Sequence, residues 1–286
     1  MKDSDEFSIL KKVFKNLGNQ YFDSSNLLIG PGDDAGLFKT RKDLIFSTDT
    51  SVANVHFPRD LGPKLIAYRS CAVAASDIAA CGGKLKWLSI ALTVNTKKKK
   101  WIEDFSKGIK EFSDKYKVPI IGGDLTLGKE ISVSVGVCGE IEKKDFMRRN
   151  KGKEKDLIFV TGILGEAFAG LNLLKQKKQK LNPSEKKYLK RYLKPKIDFL
   201  FSQDLSKIAN SCIDISDGLM ADLNHICQQS NLKAEINLEK IPLIGNPIKA
   251  ITWGDDYQLC FTISSSKSEK LAEFSKNHKV KFTNIG

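Results

Sequence analysis

Six aspartates lie beside glycines or within apolar stretches, away from the lysine-rich segments of the chain. They are Asp34 in GPGDDAGLF, Asp49 in FSTDT, Asp77 in AVAASDIAACGG, Asp124 in IIGGD, and Asp214 and Asp217 in CIDISDG. Burying several carboxylates is unfavourable unless cations neutralise them, and these motifs contain no lysine or arginine. Carboxylate oxygens, without thiolates and with little imidazole, suit a hard cation such as Mg²⁺. The pattern therefore predicts a set of magnesium ligands.

Each aspartate also has an ordinary structural explanation when it is taken alone. Asp217 suits the N-cap position of a helix, and Asp34 and Asp124 suit turns. Asp77 could bond to a nearby backbone group. The metal interpretation rests on the whole set, and within GPGDD it favours Asp34 as the ligand. Its neighbour Asp33 could instead hold the turn or act through a water molecule.

The glycines next to these acids indicate that the metal serves a phosphate chain. Mg²⁺ keeps several waters and shares its coordination shell with substrate phosphates, and glycine lets the backbone approach a polyphosphate closely. The sequence has no G-x-x-x-x-G-K-[ST] motif and no pair of H-R-D and D-F-G motifs, which excludes the P-loop and protein-kinase classes. The segment GILGEAFAG lacks G-x-G-x-x-G and is expected to lead into a packed helix.

Composition limits the partners that the chain can have. Its 286 residues, 41 % hydrophobic and 28 % charged, are enough for two globular domains with real cores. The net charge of +13 comes from scattered lysines without interleaved aromatics, so neither a nucleic-acid nor a membrane partner is expected. The six cysteines form no C-x-x-C pair, which predicts a reduced, cytoplasmic protein without disulfides or structural zinc.

Hydrophobic patterning indicates which elements carry the aspartates. Strands are predicted over 43–50, 85–94, 118–121, 131–141, 156–162, 212–216, 234–238, 257–263 and 279–285. Helices are predicted over 61–81, 101–116, 183–193, 203–210, 217–230 and 267–277. The charged stretch 142–155 separates two mixed α and β domains, broadly 1–141 and 150–286.

The motifs resemble, in order and spacing, those of the thiamine-monophosphate kinases. The segments that carry the resemblance are GPGDDAGLF, STDTSVANVHF, AVAASDIAACGG, IIGGDLT, DLIFVTGILGEAFAGL, IDISDGLMADLNHI and WGDDYQLCFT. The resemblance implies an α+β fold of two mixed α/β domains, like that of aminoimidazole ribonucleotide synthetase. In that fold the N-terminal domain binds ATP and Mg²⁺ and dimerises, and its strands form an intersubunit barrel in a homodimer.

The resemblance also implies a reaction and a set of site residues. The reaction is direct transfer of the ATP γ-phosphoryl group to the phosphate of thiamine monophosphate, which gives thiamine diphosphate. Metal ligands are implied at Asp34, Asp49, Asp77, Asp124, Asp214 and Asp217. ATP contacts are implied at Ser47, Thr48, Gly123, Asp124, Arg149 and Ser216, and contacts to thiamine monophosphate at His56 and Asp255. No general base is assigned, because the acceptor is already an anionic phosphate oxygen.

Two departures from the family pattern bear on substrate binding. Asp255 stands where the family usually has a glutamate, so its reach is one methylene shorter. Family members also usually continue past the position of Gly286 to an aromatic ring that packs on thiamine, and losing such a ring is expected to weaken binding by about 1 kcal/mol.

Three alternatives to the kinase stay open on the sequence alone. One is another ATP-dependent enzyme of the same superfamily, although a selenophosphate synthetase would need a reactive cysteine near its N-terminus and the first cysteine here is Cys71. Another is a non-catalytic relative that binds nucleotide or metal. A basic nucleic-acid binder is the least favoured.

Overall fold

The computed structural model describes residues 13–14, 16–30, 35–96, 98–178 and 180–286. The chain forms two compact units. The first takes the residues up to Ile78 together with Leu85–Glu140, and the second takes Ala79–Lys84 together with Ile141–Gly286. A six-residue segment in the first half of the sequence therefore belongs to the second unit.

The described part of the first half contains both strands and helices. In chain order they are α1 (Phe22–Ser25), β1 (Leu27–Ile29), β2 (Leu37–Phe38), β3 (Asp43–Val52), α2 (Pro63–Ala80), β4 (Lys84–Val94), α3 (Lys99–Tyr116), β5 (Ile120–Leu127) and β6 (Ser132–Ile141). Strands β1 and β2 form a small antiparallel pair, and the other four strands form a sheet in the order β3-β6-β4-β5.

The four-stranded sheet buries one face and exposes much of the other. Along β4, Leu88 and Leu92 are buried while Ala91 is exposed, which is the alternation of a half-buried strand. Helix α3 buries Ile102, Phe105, Ile109 and Phe112, whose spacing of three or four residues forms one apolar stripe. This helix connects β4 to β5, which run parallel and therefore need a long crossover.

The second half of the chain forms a second sheet with helices on its two faces. In chain order its elements are β7 (Leu157–Thr161), α4 (Glu166–Lys175), α5 (Pro183–Leu193), α6 (Phe199–Leu205), β8 (Ser211–Asp214), α7 (Leu219–Ser230), α8 (Pro247–Thr252), β9 (Leu259–Ile263), α9 (Ser268–His278) and β10 (Phe282–Asn284). The strand order is β10-β7-β9-β8, and each neighbouring pair is antiparallel.

Two hydrophobic clusters pack against the second sheet. Phe159 and Phe261 stack at 5.5 Å between ring centroids and join the cluster that includes residues of α6 and α9. Their strand neighbours Ile158, Val160 and Cys260 belong to the other cluster, which includes residues of α7. Because successive side chains of a strand point to opposite faces, this sheet is covered on both sides.

Three predicted elements differ from the structure. The predicted strand 118–121 is instead β5, which continues through Gly122 and Gly123 to Leu127 because it pairs with β4 along that length. Residues 234–237 form no strand, since the Asn237 side chain accepts a hydrogen bond from the Glu239 backbone N–H and starts a short 3₁₀ turn. The helix predicted over 203–210 is α6, which begins earlier and ends at Leu205.

The helix predicted over 183–193 is confirmed as α5. Its first turn has a capping box, in which the Asn182 side chain accepts from the Glu185 N–H and Glu185 accepts from the Asn182 N–H. Pro183 at the first helical position fits the same start, because its missing N–H would have had no partner inside the helix.

All six cysteines are free thiols, as the sequence predicts. Cys71 and Cys138 are buried in the first unit, and Cys212 and Cys260 are buried in the second. Burial raises the pKa of the Cys71 thiol to about 12 and that of Cys138 to about 11. These thiols are therefore protonated and inert at neutral pH.

Candidate active site

Strand β3 and helix α2 bring two of the predicted metal ligands together in the first unit. The Ser47 hydroxyl donates to Oδ2 of Asp77 at 2.5 Å, and Asp49 lies on the same side of the strand two residues along. Burial raises the pKa of the Asp49 carboxyl, the charge of Asp77 raises it further, and His56 lowers it. The two carboxylates thus form a repulsive pair that a bound cation would stabilise.

The alternation of β3 separates Ser47 from Thr48. Thr48 is exposed and lies on the opposite face, where the Thr50 hydroxyl bonds to the Ser134 hydroxyl at 2.8 Å. The side chains of Ser47 and Thr48 therefore point to opposite faces of the sheet.

His56 is fixed by the turn that follows β3. Its Nδ1 accepts a hydrogen bond from the Val52 backbone N–H at 3.0 Å, and its own backbone N–H donates to the Val52 carbonyl at 2.9 Å. Because Nδ1 is an acceptor, the neutral ring carries its proton on Nε2. The exposed His56 ring can therefore donate a hydrogen bond from Nε2 to an anionic group.

Asp124 lies far from the Asp49–Asp77 pair within one chain. It is an exposed residue inside β5, opposite Ala91 of β4, and not at the end of a strand. Strands β3 and β5 are the two edges of the sheet, so three strand spacings, roughly 14 Å, separate them. The neighbouring Gly123 has no room for a side chain, since an added Cβ would lie 2.1 Å from the Ile90 carbonyl oxygen.

In the second unit, the turn between β8 and α7 carries the other predicted ligands. Asp214 is buried at the end of β8, and Ser216 and Asp217 follow before Gly218, whose φ of 109° is strained for any other residue. Oδ2 of Asp222, one turn into α7, accepts hydrogen bonds from the N–H groups of three successive residues, Ser216, Asp217 and Gly218, at 3.0–3.1 Å.

The segment 254–257 joins this turn from the opposite side. The Asp255 N–H donates to the Ser216 carbonyl and the Tyr257 N–H donates to the Ile215 carbonyl, both at 2.9 Å. A Cβ at Gly254 would lie 1.5 Å from the Ser216 oxygen, so only glycine fits. Both Asp255 and Tyr257 have positive φ values, and the Tyr257 hydroxyl donates to Asp255 Oδ1 at 3.2 Å. The structure thus places Asp255 beside Ser216 and Asp217.

Asp256 makes different contacts from its neighbour Asp255. Its carboxylate accepts from the Gly165 N–H at 2.7 Å and the Ala167 N–H at 3.2 Å, at the start of α4. Burial, which outweighs these hydrogen bonds, raises the pKa of Asp256 to about 7. Asp256 therefore ties the 254–257 segment to α4.

Arg149 lies at the other end of α7 from the aspartate turn. The Ser230 hydroxyl, on the last residue of α7, donates to the Arg149 carbonyl at 2.9 Å. The backbone of Arg148 forms an isolated β-bridge with Ser211 at the start of β8. A helix of 12 residues spans roughly 18 Å. Within the second unit, the Arg149 backbone therefore lies about one helix length from Asp217.

Asp33 and Asp34 lie outside the described residues, so the assignment of Asp34 as a metal ligand stays a prediction. Within the described ranges, no three histidine, cysteine, aspartate or glutamate side chains come close enough to one another to hold a metal ion by themselves. A metal at Asp49 and Asp77 would need further ligands from elsewhere.

The motifs alone assign no role to Asp222 or Asp256. Asp222 stands in the quoted motif IDISDGLMADLNHI, where an acid one helical turn after a strand-to-helix junction could have suggested a helix cap. Asp256 stands next to Asp255, and the sequence does not show which of two adjacent carboxylates faces a helix terminus.

Comparison with known proteins identifies the family. The chain matches the models of the AIR synthase related protein N-terminal domain over residues 32–141 and its C-terminal domain over residues 153–286. The thiamine-monophosphate kinase of Buchnera aphidicola subsp. Schizaphis graminum is 41 % identical over 98 % of this chain and 90 % of its own. The chain belongs to the thiamine-monophosphate kinase family. The resemblance drawn from the motifs and the expected class of enzyme, a thiamine-phosphate kinase, are confirmed.

Solved structures of this kinase family share the fold. The crystal structure of thiamine-monophosphate kinase from Stenotrophomonas maltophilia K279a has a TM-score of 0.87 and 30 % identity, covering 96 % of this chain and 93 % of its own. AaThiL complexed with AMPPCP and TMP has a TM-score of 0.77 and 32 % identity, covering 94 % of this chain and 88 % of its own. The predicted pair of mixed α/β domains of the AIR synthase type is therefore confirmed.

Proposed function

We propose that this chain phosphorylates thiamine monophosphate to thiamine diphosphate with ATP and several Mg²⁺ ions. The observation that carries the proposal is the Asp49–Asp77 carboxylate pair beside Ser47, in a member of this kinase family. The relative AaThiL has been solved with AMPPCP, an ATP analogue, and TMP. A repulsive carboxylate pair that faces a phosphate chain is the arrangement expected of a magnesium–nucleotide site.

Burial and the charge of Asp77 both disfavour the ionised form of Asp49. A divalent cation bound there would favour the ionised form instead, which is why the pair suits Mg²⁺. Mg²⁺ usually takes one or two carboxylates and fills its other positions with phosphate oxygens and water. Pairs of acids are therefore sufficient, and Asp34, Asp49, Asp77, Asp124, Asp214 and Asp217 are the proposed ligands. Bound Mg²⁺ would neutralise the phosphate charges and help align donor and acceptor.

The remaining residues would orient the two substrates. ATP contacts are proposed for Ser47, Thr48, Gly123, Asp124, Arg149 and Ser216. His56, whose Nε2–H can donate, and Asp255 are proposed to bind thiamine monophosphate. An oxygen of the acceptor phosphate attacks the γ-phosphorus in line, a P–O bond to it forms, and the bond to the β-phosphate oxygen breaks to release ADP. No side chain has to remove a proton.

We further propose a homodimer closed by an intersubunit barrel. Phe46 is 70 % exposed and lies over Gly136 on the open face of the first sheet, and Leu44 beside it is 41 % exposed. Both sheet edges, β3 and β5, are unpaired within the described chain. Pairing β5 of one subunit with β3 of its partner would remove these edges and place the strand that carries the partner's Asp124 next to the strand that carries Asp49.

A cytoplasmic location without nucleic-acid or membrane partners is part of the proposal. The free thiols suit a reducing compartment. Across the described residues, none of the helices has the length and apolar character that a membrane span requires.

The decisive assay supplies ATP, Mg²⁺ and thiamine monophosphate and follows thiamine diphosphate by chromatography. Product that depends on all three components supports the kinase. A chain that binds ATP in the same buffer but forms no product is a non-catalytic relative instead. Thiamine without its phosphate serves as the control acceptor, and it should give no product because it lacks the anionic nucleophile.

Mixing two inactive variants tests the shared site. Asp49→Ala and Asp124→Ala proteins are unfolded together and refolded, so that mixed dimers form. If Asp124 completes the partner's site, half of the dimers are mixed and each has one intact site, which restores about one quarter of wild-type activity. If both residues act within one chain, the mixture stays inactive.

A further inference from the structure

Asp222 is a buried carboxylate that contacts the backbone of the turn carrying the proposed ligand Asp217. It is 1 % exposed, and its Oδ2 collects the backbone N–H groups of Ser216, Asp217 and Gly218 at 3.0, 3.1 and 3.1 Å. Three successive N–H groups that converge on one point form an anion-binding nest. In this chain the anion in the nest is the protein's own carboxylate.

This arrangement changes what the turn can offer a nucleotide. With their N–H groups bonded to Asp222, the three amides are not available to phosphate oxygens. The carbonyl groups of Ile215 and Ser216 are bonded as well, to the N–H groups of Tyr257 and Asp255. A ligand at this turn can therefore be bound mainly by side chains. The backbone that carries those side chains is held by Asp222 on one side and by the 254–257 segment on the other.

The bonds to Asp222 join backbone N–H groups to a carboxylate. When that carboxylate is ionised, such charge-assisted bonds are about twice as strong as neutral ones. The carboxylate also belongs to α7, whose Leu219, Leu223 and Ile226 pack in the hydrophobic cluster of the second sheet. The packed helix α7 thereby holds the turn in a fixed position.

We propose that Asp222 is a positioning residue for metal binding, which holds the turn so that the carboxylates of Asp214 and Asp217 can face a common divalent cation. This inference rests on the proposed function, because it takes Asp214 and Asp217 as metal ligands. Groups that orient metal ligands without touching the metal commonly change metal affinity by about 10- to 100-fold when they are removed.

The test measures Mn²⁺ binding, not turnover. Purified protein without nucleotide is titrated with Mn²⁺, and free Mn²⁺ is followed by electron paramagnetic resonance. We expect Asp222→Ala to raise the half-saturating Mn²⁺ concentration about 10-fold or more at the site lost in Asp214→Ala. Asp222→Asn, whose amide oxygen can still accept from the turn, should recover most of that loss. An Asn variant as impaired as the Ala variant would overturn the geometric role.

Asp156→Ala is the matched control. Asp156 is also a carboxylate of the second unit with several hydrogen bonds, from the Lys153 N–H, the Asn210 amide and the Thr262 hydroxyl. Its removal should lower the unfolding temperature but leave Mn²⁺ affinity within about twofold, because it does not touch the turn.

A second variant keeps the test decisive if Asp222→Ala does not fold. Asp222→Ser leaves a polar group in the pocket, but its hydroxyl is too short to reach three amides. A folded Asp222→Ser protein with wild-type Mn²⁺ affinity overturns the proposal and leaves Asp222 a helix cap only. Wild-type protein that binds no Mn²⁺ overturns the metal site itself, and with it both the positioning role and the magnesium part of the proposed function.

Discussion

Asp49 shows how one residue can serve a site at a cost to folding. Its pKa is raised in the folded chain, so the fold disfavours the ionised carboxylate that is present at neutral pH. Asp49→Asn removes that charge without changing the shape of the side chain. In EDTA we expect this variant to unfold about 2 °C higher than the wild type.

The same variant should lose turnover by roughly 100-fold or more, because a metal ligand is gone. Thermal unfolding with EDTA and with Mg²⁺, together with the chromatographic assay, gives both values. The control is Asp43→Asn at the exposed start of the same strand, which should change neither the unfolding temperature nor the turnover. An Asp49→Asn protein with wild-type turnover would remove Asp49 from the metal site.

Asp256 predicts a pH dependence of stability. Its folded pKa of about 7 lies above the unfolded value of 3.8, so the folded state binds the proton more tightly. Its contribution to stability is therefore complete below pH 3.8 and is lost as pH rises through about 7. Asp256→Asn cannot titrate, so the stability of the wild type relative to this variant should fall between pH 5 and pH 8.

Urea unfolding of both proteins at the two pH values measures the difference. The curves include all other titrating groups, which cancel in the comparison because the two chains share them. A difference that stays constant between the two pH values would show that the Asp256 carboxyl is already ionised throughout the range.

At the scale of the element, the segment 254–257 depends on a residue without a side chain. Gly254 lies against the turn before α7, and its missing Cβ leaves room for the Ser216 carbonyl. Gly254→Ala must push the segment away, and we expect a loss of about 1–3 kcal/mol in the free energy of unfolding. Because Asp255 moves with it, turnover should fall by up to roughly 100-fold.

Gly62→Ala is the control for this prediction, since a Cβ there meets nothing within 4 Å. It should keep both stability and turnover. If Gly254→Ala loses stability but retains the wild-type KM for thiamine monophosphate, the position of Asp255 is not important for substrate binding.

The sequence predicts the elements around the site better than the hydrogen bonds within it. Strand β3, helix α2 and the junction of β8 with α7 follow from hydrophobic periodicity and from glycine, which are local signals. The extension of β5 through Gly122 and Gly123 does not, because pairing with β4 overrides the usual preference of glycine for turns. The roles of Asp222 and Asp256 depend on which backbone amides lie next to them in the folded chain, and these contacts are not evident from the sequence.

At the scale of the whole molecule, the chain moves between its two units three times. Residues 79–84 belong to the second unit, where the Met147 N–H donates to the Cys81 carbonyl at 3.1 Å and Gly82 lies against Ser206. A fragment of residues 1–141 carries this segment without its partners. We expect the fragment to bind the dye ANS and to lack a cooperative melting transition, whereas the full chain unfolds in one transition.

Calorimetry of the full chain and the fragment checks this expectation. Two resolved transitions in the full chain, the first of which matches a cooperative transition of the fragment, would show that the first unit folds alone. The second sheet, covered on both faces, contains most of its own partners, so residues 141–286 should be the more cooperative fragment.

The four buried thiols allow the opening rate of each unit to be measured separately. Cys71 and Cys138 lie in the first unit and Cys212 and Cys260 in the second, and none of them can react with a thiol reagent until water reaches it. Alkylation followed by mass spectrometry of the peptides therefore gives one opening rate for each thiol. Equal rates across the four would mean that the whole chain opens as a single kinetic unit, and a faster pair would identify the half that proteases reach first.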